Sequence, residues 1–397
     1  MDGCVFHQDI MLCILTRLPV KSIIRFKSVC KPWRDLFSSP EFIKMHQGQF
    51  SSNSRNQCLI MENRVFIDSR ADDEFVDSGR VFSLLKIESD EERAVHRSPE
   101  TENMNIVGCC NGLICMGNPH EQESIVFWNP AINLFKFVSI SEIVGFTDPY
   151  RRLSIGFGYD AEGDDFKAVI ISCLNGKNKS FGVEVYSVNS ESWITVELGF
   201  QINGCSAKNV AIVNGNPYWA ATVDENQSAK SRHVGDVLVC FNVRKMEFKV
   251  VPVPASSRAK SPIYHVWNVT CVWVDWKGAL VDWKGSLGAL VCTKGNDERV
   301  ESLDVLVYDD VEQFWRKEHT FGLIEVSLGQ ILDISKNGKI LGRCLTGELI
   351  GFDPETGWVK VYDVQPSSYW YLYLYTESLT YIKGMRPVFA SEHGKEE

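Results

Sequence analysis

One group of residues in this sequence has side chains of the types that bind metal ions: Cys109, Cys110, Cys115 and His120. Structural zinc sites are normally built from two ligand pairs, with two to four residues between the members of a cysteine pair. The group contains no C-x-x-C pair and lacks a second half. Its spacing therefore does not predict a metal site.

The sequence also offers no recognisable catalytic set. Its eight histidines lie far apart, and none stands in a pattern that would place a base beside a nucleophile. The G-x-S-x-G, P-loop and H-E-x-x-H motifs are all missing. We therefore expect a protein that is not an enzyme and needs no cofactor. A propeller enzyme remains an alternative, because a fold can bring distant residues together at its centre.

Composition limits the partners of the protein. The 397 residues hold 41 Lys and Arg against 51 Asp and Glu, and the net charge of −10 disfavours nucleic acid as a partner. No apolar run approaches the roughly 18 residues that a membrane span needs. The thirteen cysteines are spread through apolar, strand-like segments, which indicates buried free thiols rather than a disulfide framework. We expect a location in the cytoplasm, the nucleus or both, and no membrane partner.

The first fifty residues have a helical pattern. Apolar residues recur at helical spacing before a Pro19-Val20 turn: Ile10, Ile14, Leu15 and Leu18. Ser39-Pro40-Glu41 combines an N-cap residue, a first-turn proline and a first-turn carboxylate, which predicts that another helix begins there. Three or four such short helices cannot bury their apolar surface among themselves, so part of it must contact something else.

This segment resembles an F-box. The resemblance is carried by Asp9-Ile10, the run Ile14–Ser22, the run Arg25–Trp33, and Ser39–Phe42. It departs from the family at Phe6–Asp9, where Leu-Pro-Glu-Asp is usual. The resemblance implies that residues 1–50 dock on a Skp-type adaptor and, through it, on a cullin. The adaptor contacts that we assign on this basis are Ile10, Leu15, Leu18, Pro19, Val20, Val29, Cys30 and Trp33.

Charge agrees with a docking role for this segment. Residues 1–50 hold seven Lys and Arg against four Asp and Glu, whereas the rest of the chain is acidic. A basic module on an acidic body suits an acidic partner. The alternative is that these helices are only a cap on the larger domain.

The remainder of the sequence is a repeat of paired hairpins. Five segments share an apolar strand that ends in an aromatic residue, a polar turn, and a second aromatic that opens the next strand. The reference aromatics are Phe127, Tyr186, Phe241, Tyr308 and Phe352. Glycine turns mark a further hairpin ahead of them, at Asn111-Gly112, Gly163-Asp164, Asn214-Gly215, Lys284-Gly285 and Asn337-Gly338. Each repeat is therefore predicted to be a four-stranded antiparallel sheet.

Four-stranded sheets that recur about every 55 residues predict a β-propeller, because radial stacking buries both faces of each sheet. A β-sandwich or jelly roll is the alternative, and the long period disfavours it. A sixth blade is expected from two strands in Cys58–Ile67 and one that begins at Arg80, completed and closed by C-terminal strands that begin at Tyr369 and Ser378. The predicted fold is thus a small all-α N-terminal F-box followed by an all-β domain, a six-bladed β-propeller.

The all-β part is similar to the F-box-associated domain of plant proteins, a group that includes kelch-like and S-locus F-box members. The likeness is carried by strand and turn motifs, among them 108–116, 127–137, 155–169 and 349–362. It implies that residues 51–390 form an interaction domain that binds a protein target, with 391–397 as a polar tail. Such motifs identify the family and leave the target open.

Two local features qualify this picture. In the run Tyr369–Tyr375, strand alternation puts the tyrosines on one face. Tyr371 and Tyr373 are candidates for target binding, although packing against a neighbouring blade is favoured.

The segment Val274–Leu280 is repeated at once by Val281–Leu287. Seven is odd, so two copies on one strand would place their tryptophans on opposite faces. We expect one copy to bulge or to form an extra hairpin in a surface insertion.

The function that these observations favour is substrate recognition within a Skp-Cullin-F-box ubiquitin ligase, where a protein target bound by the propeller is presented for ubiquitination. The alternative from another class is a lectin-like or small-ligand-binding propeller with an N-terminal helical cap. Adaptor binding separates the two hypotheses.

Overall fold

The structure is a computed structural model of the chain. The residues that it describes are 8–68, 75–89, 92–94, 104–118, 124–140, 151–174, 181–206, 210–223, 237–254, 278–294, 300–322, 328–335, 337–344, 346–353, 355–364 and 370–388.

Four helices form an N-terminal helical module: α1 Gln8–Leu15, α2 Val20–Phe26, α3 Lys31–Ser38 and α4 Pro40–Ser52. Pro19 precedes the first residue of α2, and α3 has a proline in its first turn. The predicted start of the last helix is confirmed, since the backbone N–H of Phe42 donates to the Ser39 side chain at 3.2 Å. A short 3-10 helix, Ser54–Asn56, leads into the first strand.

The strands form six antiparallel sheets, which are the blades of a propeller. Blade 6 contains β1 Gln57–Asp68, β2 Phe75–Lys86, β3 Glu92–Ala94 and, from the other end of the chain, β25 Trp370–Thr376. Blade 1 contains β4 Asn105–Cys110, β5 Leu113–Gly117, β6 Ser124–Asn129, β7 Leu134–Ser139 and the late β26 Arg386–Pro387. Blade 2 contains β8 Arg151–Asp160, β9 Asp165–Leu174, β10 Phe181–Ser187 and β11 Ser192–Thr195.

Blade 3 contains β12 Ile202–Cys205, β13 Ala211–Val213, β14 Asn216–Val223, β15 Val237–Asn242 and β16 Glu247–Pro252. Blade 4 contains β17 Gly278–Trp283, β18 Ser286–Lys294, β19 Val300–Asp309 and β20 Phe314–Phe321. Blade 5 contains β21 Leu328–Ile334, β22 Ile340–Cys344, β23 Leu349–Asp353 and β24 Trp358–Val361. Both β12 and β13 pair with β14, so the inner strand of blade 3 is in two pieces.

The ring of blades is closed by strands from opposite ends of the chain. Strands of neighbouring blades contact each other all the way around the ring, in the pairs β4 with β8, β8 with β14, β13 with β17, β17 with β21, β21 with β25 and β25 with β4. Strand β25 pairs antiparallel with β1, with Tyr375 opposite Cys58 and Leu374 opposite Leu59. The predicted sixth blade and its closure are therefore confirmed.

Two details of that blade differ from the prediction. The two strands expected in Cys58–Ile67 are one strand, β1, with a register shift between Arg64 and Phe66. The segment that begins at Ser378 is not a strand. Its carbonyl groups accept hydrogen bonds from a side chain and not from the backbone of a neighbouring strand. Asn129 Nδ2 donates to the carbonyl oxygens of Ser378 at 3.1 Å and Thr380 at 2.8 Å.

Three of the five glycine-marked hairpins, at Asn111-Gly112, Asn214-Gly215 and Lys284-Gly285, have positive φ at both turn residues. At the turn between β4 and β5, Asn111 has φ 47° and Gly112 has φ 73°, which is the pair of positive values that a tight hairpin requires. A Cβ added at Gly112 would also collide with Ser378. Lys284-Gly285 has the same pair of positive φ values between β17 and β18. These turns set the register of the inner strands.

In each blade, the turn between the first and second strands lies at the same end as the turn between the third and fourth, because neighbouring strands are antiparallel. We call this side of the ring the turn face. Contacts between blades join these turns, as in Asn214 N–H donating to Asp282 Oδ2 at 3.0 Å and Asn337 Nδ2 donating to Glu88 Oε1 at 2.7 Å. The connections 224–236 and 255–277 join strand ends on the opposite face and lie outside the described residues.

The core consists of apolar clusters between neighbouring blades. One cluster joins blades 1 and 2 through Phe127 and Phe157, whose ring centroids lie 5.8 Å apart. Another joins blades 2 and 3, where Trp219 is fully buried and donates its indole N–H to the Ile155 carbonyl at 3.3 Å. Alternate residues of a strand belong to different clusters, as radial stacking of twisted sheets requires.

The second copy of the tandem repeat lies where the Lys284-Gly285 turn predicts a blade hairpin. The second copy, Val281–Leu287, forms the inner hairpin of blade 4, with Val281 and Leu287 only 1% and 4% exposed. The second copy is therefore a regular part of the blade. Of the first copy, only residues 278–280 are described, and they extend β17. The remainder, 274–277, lies outside the described residues, so the expected bulge or extra hairpin there is untested.

Candidate functional site

The helical module exposes apolar side chains that its own fold does not cover. Ile10 is 53% exposed, Ile14 55% and Val29 63%, and Met11 and Ile24 are also exposed. We call these five residues the exposed apolar set. Their positions on α1, on α2 and in the turn before α3 confirm that part of the apolar surface of the module lies outside its core. Ile10 and Ile14 are one turn apart on α1 and so share a face of that helix, and exposed apolar side chains that cluster in this way are typical of interaction sites.

A separate set of side chains forms the core of the module. The buried members are Leu15, Val20, Ile23, Phe37 and Phe42. Trp33 packs at the border of this cluster, with its ring centroid 5.7 Å from Phe37 and 5.5 Å from Phe26. The core is complete enough to hold the helices while the exposed apolar set faces solvent.

The eight predicted adaptor contacts fall into three groups. Ile10, Pro19, Val29 and Cys30 are exposed. Leu18 and Trp33 are half-buried. Leu15 and Val20 are 5% and 0% exposed and belong to the core, so they support the surface from beneath instead of forming it.

Sequence reasoning did not assign Met11, Ile14 or Ile24 to the contact surface. Helical periodicity marks Ile14 as an apolar position, but periodicity shows that a helix is amphipathic and not which of two apolar stripes faces the core.

The helical module also exposes basic side chains. Lys21, Arg25, Lys31 and Arg34 are all exposed on α2 and α3. Lys27 is half-buried, and burial lowers its pKa. A partner that presents apolar side chains within an acidic rim would match this surface in both respects.

His46 anchors the corner that precedes α2. Its side chain is fully buried, its ring stacks on Phe50 at 5.1 Å, and Nε2 lies 2.8 Å from the carbonyl oxygen of Leu18. Because a carbonyl only accepts, Nε2 must carry the proton. Nδ1 is buried without a hydrogen-bond partner, and burial lowers the pKa of the imidazole. A neutral His46 therefore holds the Leu18-Pro19 corner in place.

The module rests on the turn face of the propeller. Ala131 and Ile132, in the turn between β6 and β7, pack against the core of the module. Gln47 Nε2 donates to the carbonyl of Asn111, in the turn between β4 and β5, at 3.2 Å. Leu379, which follows β25, is 3% exposed and belongs to the same apolar cluster as Val20 and Phe42. Blades 1 and 6 thus provide the seat of the module.

The tyrosines of β25 pack mainly within the propeller. Tyr373 is half-buried and its hydroxyl donates to the Ile106 carbonyl at 2.7 Å. Tyr375 is buried and donates to Asn129 Oδ1 at 3.2 Å. Both contacts run to blade 1, as the favoured packing interpretation expected. The side chain of Tyr371 lies outside the described residues.

The described residues offer little support for a metal site or a reactive thiol. They contain no group of three or more His, Cys, Asp or Glu side chains that could hold a metal ion. Burial raises the pKa of Cys110 to about 12 and raises that of Cys115 as well, so both thiols stay protonated and are poor nucleophiles. His120 lies outside the described residues. No helix in the described ranges is long and apolar enough to cross a bilayer.

A polar cavity of about 430 Å³ lies between blades 3 and 4 on the turn face. Its lining includes Asn214, Asn216, Lys249, Tyr308 and Asp310. The Lys249 ammonium pairs with Asp310 Oδ1 at 2.6 Å, so this cation is already neutralised by a neighbour. The cavity therefore gives no specific support to a small-ligand function.

Known proteins resemble this chain in both parts. Residues 60–275 match the F-box associated beta propeller domain, and residues 6–45 match the F-box domain. An F-box/kelch-repeat protein of Arabidopsis thaliana is 28% identical over 255 residues, which cover 62% of this chain and 65% of that protein. An F-box protein of the same plant is 24% identical over 402 residues, which cover 89% and 86%.

Peroxiredoxin-2A of Arabidopsis thaliana is 22% identical over 264 residues, which cover 63% of this chain and 44% of that protein. The chain thus spans less than two thirds of the length of two of these three relatives. The propeller match alone extends over more than half of the chain, from β1 to a point before β17.

Proposed function

The chain belongs to the F-box-associated β-propeller family, and on this premise we propose that it is the substrate-recognition subunit of a Skp-Cullin-F-box ubiquitin ligase. The observation that carries the proposal is the exposed apolar set on an F-box whose own core is already filled. A Skp-type adaptor, and through it a cullin, is the partner that this surface would bind. The acidic rim expected of that partner complements the exposed cations of α2 and α3.

We further propose that a protein target binds the propeller on the face opposite the F-box. The F-box occupies the turn face at blades 1 and 6, and the long connections leave the strands on the other side. Binding loops held by a rigid scaffold are the common location of recognition residues in such folds. A target held there and a ligase held at the F-box would not compete for the same surface.

The chain itself would supply no catalytic group. In this role it brings a target close to a ligase whose chemistry takes place elsewhere, and proximity alone raises the rate. The raised pKa values of Cys110 and Cys115 argue against thiol chemistry at these positions. A location in the cytoplasm or nucleus, where such ligases act, belongs to the same proposal.

The test uses the full chain with a purified Skp-type adaptor and cullin. Affinity purification from plant extract with the wild-type chain as bait should recover the adaptor together with a target protein. The double variant Ile10→Asp/Ile14→Asp places two charges in the exposed apolar set and should still recover the target. In a reconstituted ligase, the wild type should ubiquitinate that target and the double variant should not.

Equal ubiquitination by the wild type and the double variant would contradict the receptor proposal. Failure of the wild-type chain to associate with the adaptor at micromolar concentrations would contradict it more directly. The lectin-like or small-ligand alternative would then lead.

A further inference from the structure

The last described segment of the chain runs across the turn face and joins several parts of the molecule. We call Glu377–Val388 the strap. It starts where β25 ends, at the centre of the ring, and finishes at the outer edge of blade 1, where Arg386 and Pro387 pair with β7. Its final described residue, Val388, donates its backbone N–H to the Asn133 carbonyl at 3.2 Å.

Side chains of the strap enter two different cores. Leu379 belongs to the core cluster of the F-box, whereas Ile382 and Met385 belong to the cluster between blades 1 and 2. All three are less than a tenth exposed, at 3%, 5% and 9%. One short segment therefore contributes apolar packing to both domains at once.

Polar contacts fix the path of the strap between these two cores. The fully buried Asn129 donates to the carbonyls of Ser378 and Thr380. Thr380 Oγ1 donates to the Asn111 carbonyl at 3.1 Å, the same carbonyl that accepts from Gln47 of α4. Lys383 pairs with Glu191 of blade 2 at 2.7 Å. A segment bonded at this many points cannot shift without breaking contacts in the propeller.

The position of Leu379 in the chain makes this packing conditional. Leu379 lies three residues after Thr376, the last residue of β25, and β25 is the strand that closes the ring by pairing with β1. In the closed ring, β25 is seated in blade 6 and the chain leads from it directly to Leu379 in the F-box core. An open ring would leave the F-box without one of its buried leucines.

We propose that the strap couples the F-box to closure of the propeller, so that the F-box reaches full stability, and with it full affinity for its partner, only on a closed ring. This inference rests on the proposed function in naming a Skp-type adaptor as that partner. Its consequence is that a chain whose target-binding domain is incompletely folded presents a loosened F-box and is a poor ligase subunit.

The coupling is tested by hydrogen exchange with mass spectrometry on the full-length protein at increasing, sub-denaturing urea. In the wild type, amides of α4 and of β25 should approach a common opening equilibrium, because the two segments share a core. Leu379→Ala should separate them, lowering the protection of α2 and α4 by roughly 10-fold or more while β25 stays near its wild-type value. The partial truncation Leu379→Val should cause a smaller loss in the same direction.

The matched control is Leu290→Ala, which removes the same atoms from a leucine that is also fully buried but lies in blade 4. It should lower the protection of its own blade and leave the difference between α4 and β25 as in the wild type. If Leu379→Ala does not yield soluble protein, Leu379→Val supplies the same comparison. Wild-type exchange of α2 and α4 in the Leu379 variants would overturn the coupling.

Adaptor binding provides a second, separable readout. Affinity for a Skp-type adaptor should fall by roughly 10-fold in Leu379→Ala, since part of the binding energy must first restore the F-box. Leu290→Ala should bind as the wild type does. If the wild type itself fails to bind, the proposed function is wrong, while the exchange data still decide whether the strap couples the two domains.

Discussion

Replacing the exposed isoleucines of α1 tests whether the exposed apolar set, and not the core beneath it, binds the adaptor. Burying a whole isoleucine side chain stabilises a complex by about 1.5–3 kcal/mol. Ile10 and Ile14 retain 53% and 55% of their exposure. Each can therefore contribute about half of that range, or about 1 kcal/mol, when a partner covers it.

The double variant Ile10→Ala/Ile14→Ala should thus lose about 2 kcal/mol of binding free energy, which corresponds to a roughly 30-fold increase in Kd. The free energy of unfolding should change by less than about 0.5 kcal/mol, because both side chains already face solvent. Isothermal titration calorimetry against a purified Skp-type adaptor measures the first quantity, and denaturant unfolding of the free protein measures the second.

Two further variants make the comparison decisive. Leu15→Ala removes a core leucine that is 5% exposed and should destabilise the F-box by about 2–5 kcal/mol. Val311→Ala changes a residue that is 87% exposed on blade 4, away from the F-box, and should alter neither quantity. If the double variant binds within threefold of wild type, the assignment of this surface is refuted. The same holds if Leu15→Ala weakens binding without any loss of stability.

Three other predictions concern stability. Burial lowers the pKa of His46 below its ordinary value of 6.5. The unfolded chain therefore binds the proton more tightly, and the free energy of unfolding falls as the pH drops below about 6.5. In thermal unfolding, His46→Gln should lose less stability between pH 7.5 and pH 5.5 than the wild type does. Asn129→Ala removes the donor to Ser378 and Thr380 from a fully buried site and should cost about 3 kcal/mol in urea unfolding; a cost below about 1 kcal/mol would show that the strap does not depend on it. Deleting Val281–Leu287 should leave the melting temperature nearly unchanged, because the first copy then supplies the same Val-Asp-Trp-Lys-Gly turn. Asp282→Ala, by contrast, removes the acceptor for the backbone N–H groups of Asn214 and Gly285 and should lower the free energy of unfolding by about 1–2 kcal/mol.

The sequence by itself determined the elements and their repetition, because the signals for them are local. Ser39-Pro40 places the start of α4 through a cap and a fixed φ that involve only neighbouring residues. Asn111-Gly112 sets a hairpin for the same reason, since both residues must adopt positive φ. Recurrence of such turns was sufficient to predict four-stranded blades, and six of them.

The tertiary structure decided how those elements use their surfaces. Periodicity marked both Ile14 and Leu15 as apolar, but only the packing of α1 on its neighbours shows that Leu15 is buried and Ile14 exposed. Odd spacing within the tandem repeat indicated that one copy is irregular but not which one, and the pairing of β17 with β18 shows that the second copy is a regular hairpin whose Asp282 accepts a hydrogen bond from Asn214 of blade 3. Such outcomes depend on what lies opposite a side chain, which neighbouring residues in sequence do not specify.

The strap is the clearest case of a feature that only the folded chain reveals. Leu379 reads as one more apolar residue in a predicted strand, and nothing near it in sequence indicates an F-box more than three hundred residues earlier. It reaches Val20 and Phe42 because ring closure brings the two ends of the chain to the same face. Local propensity acts over a few residues, whereas a contact of this kind exists only once every blade between its partners is in place.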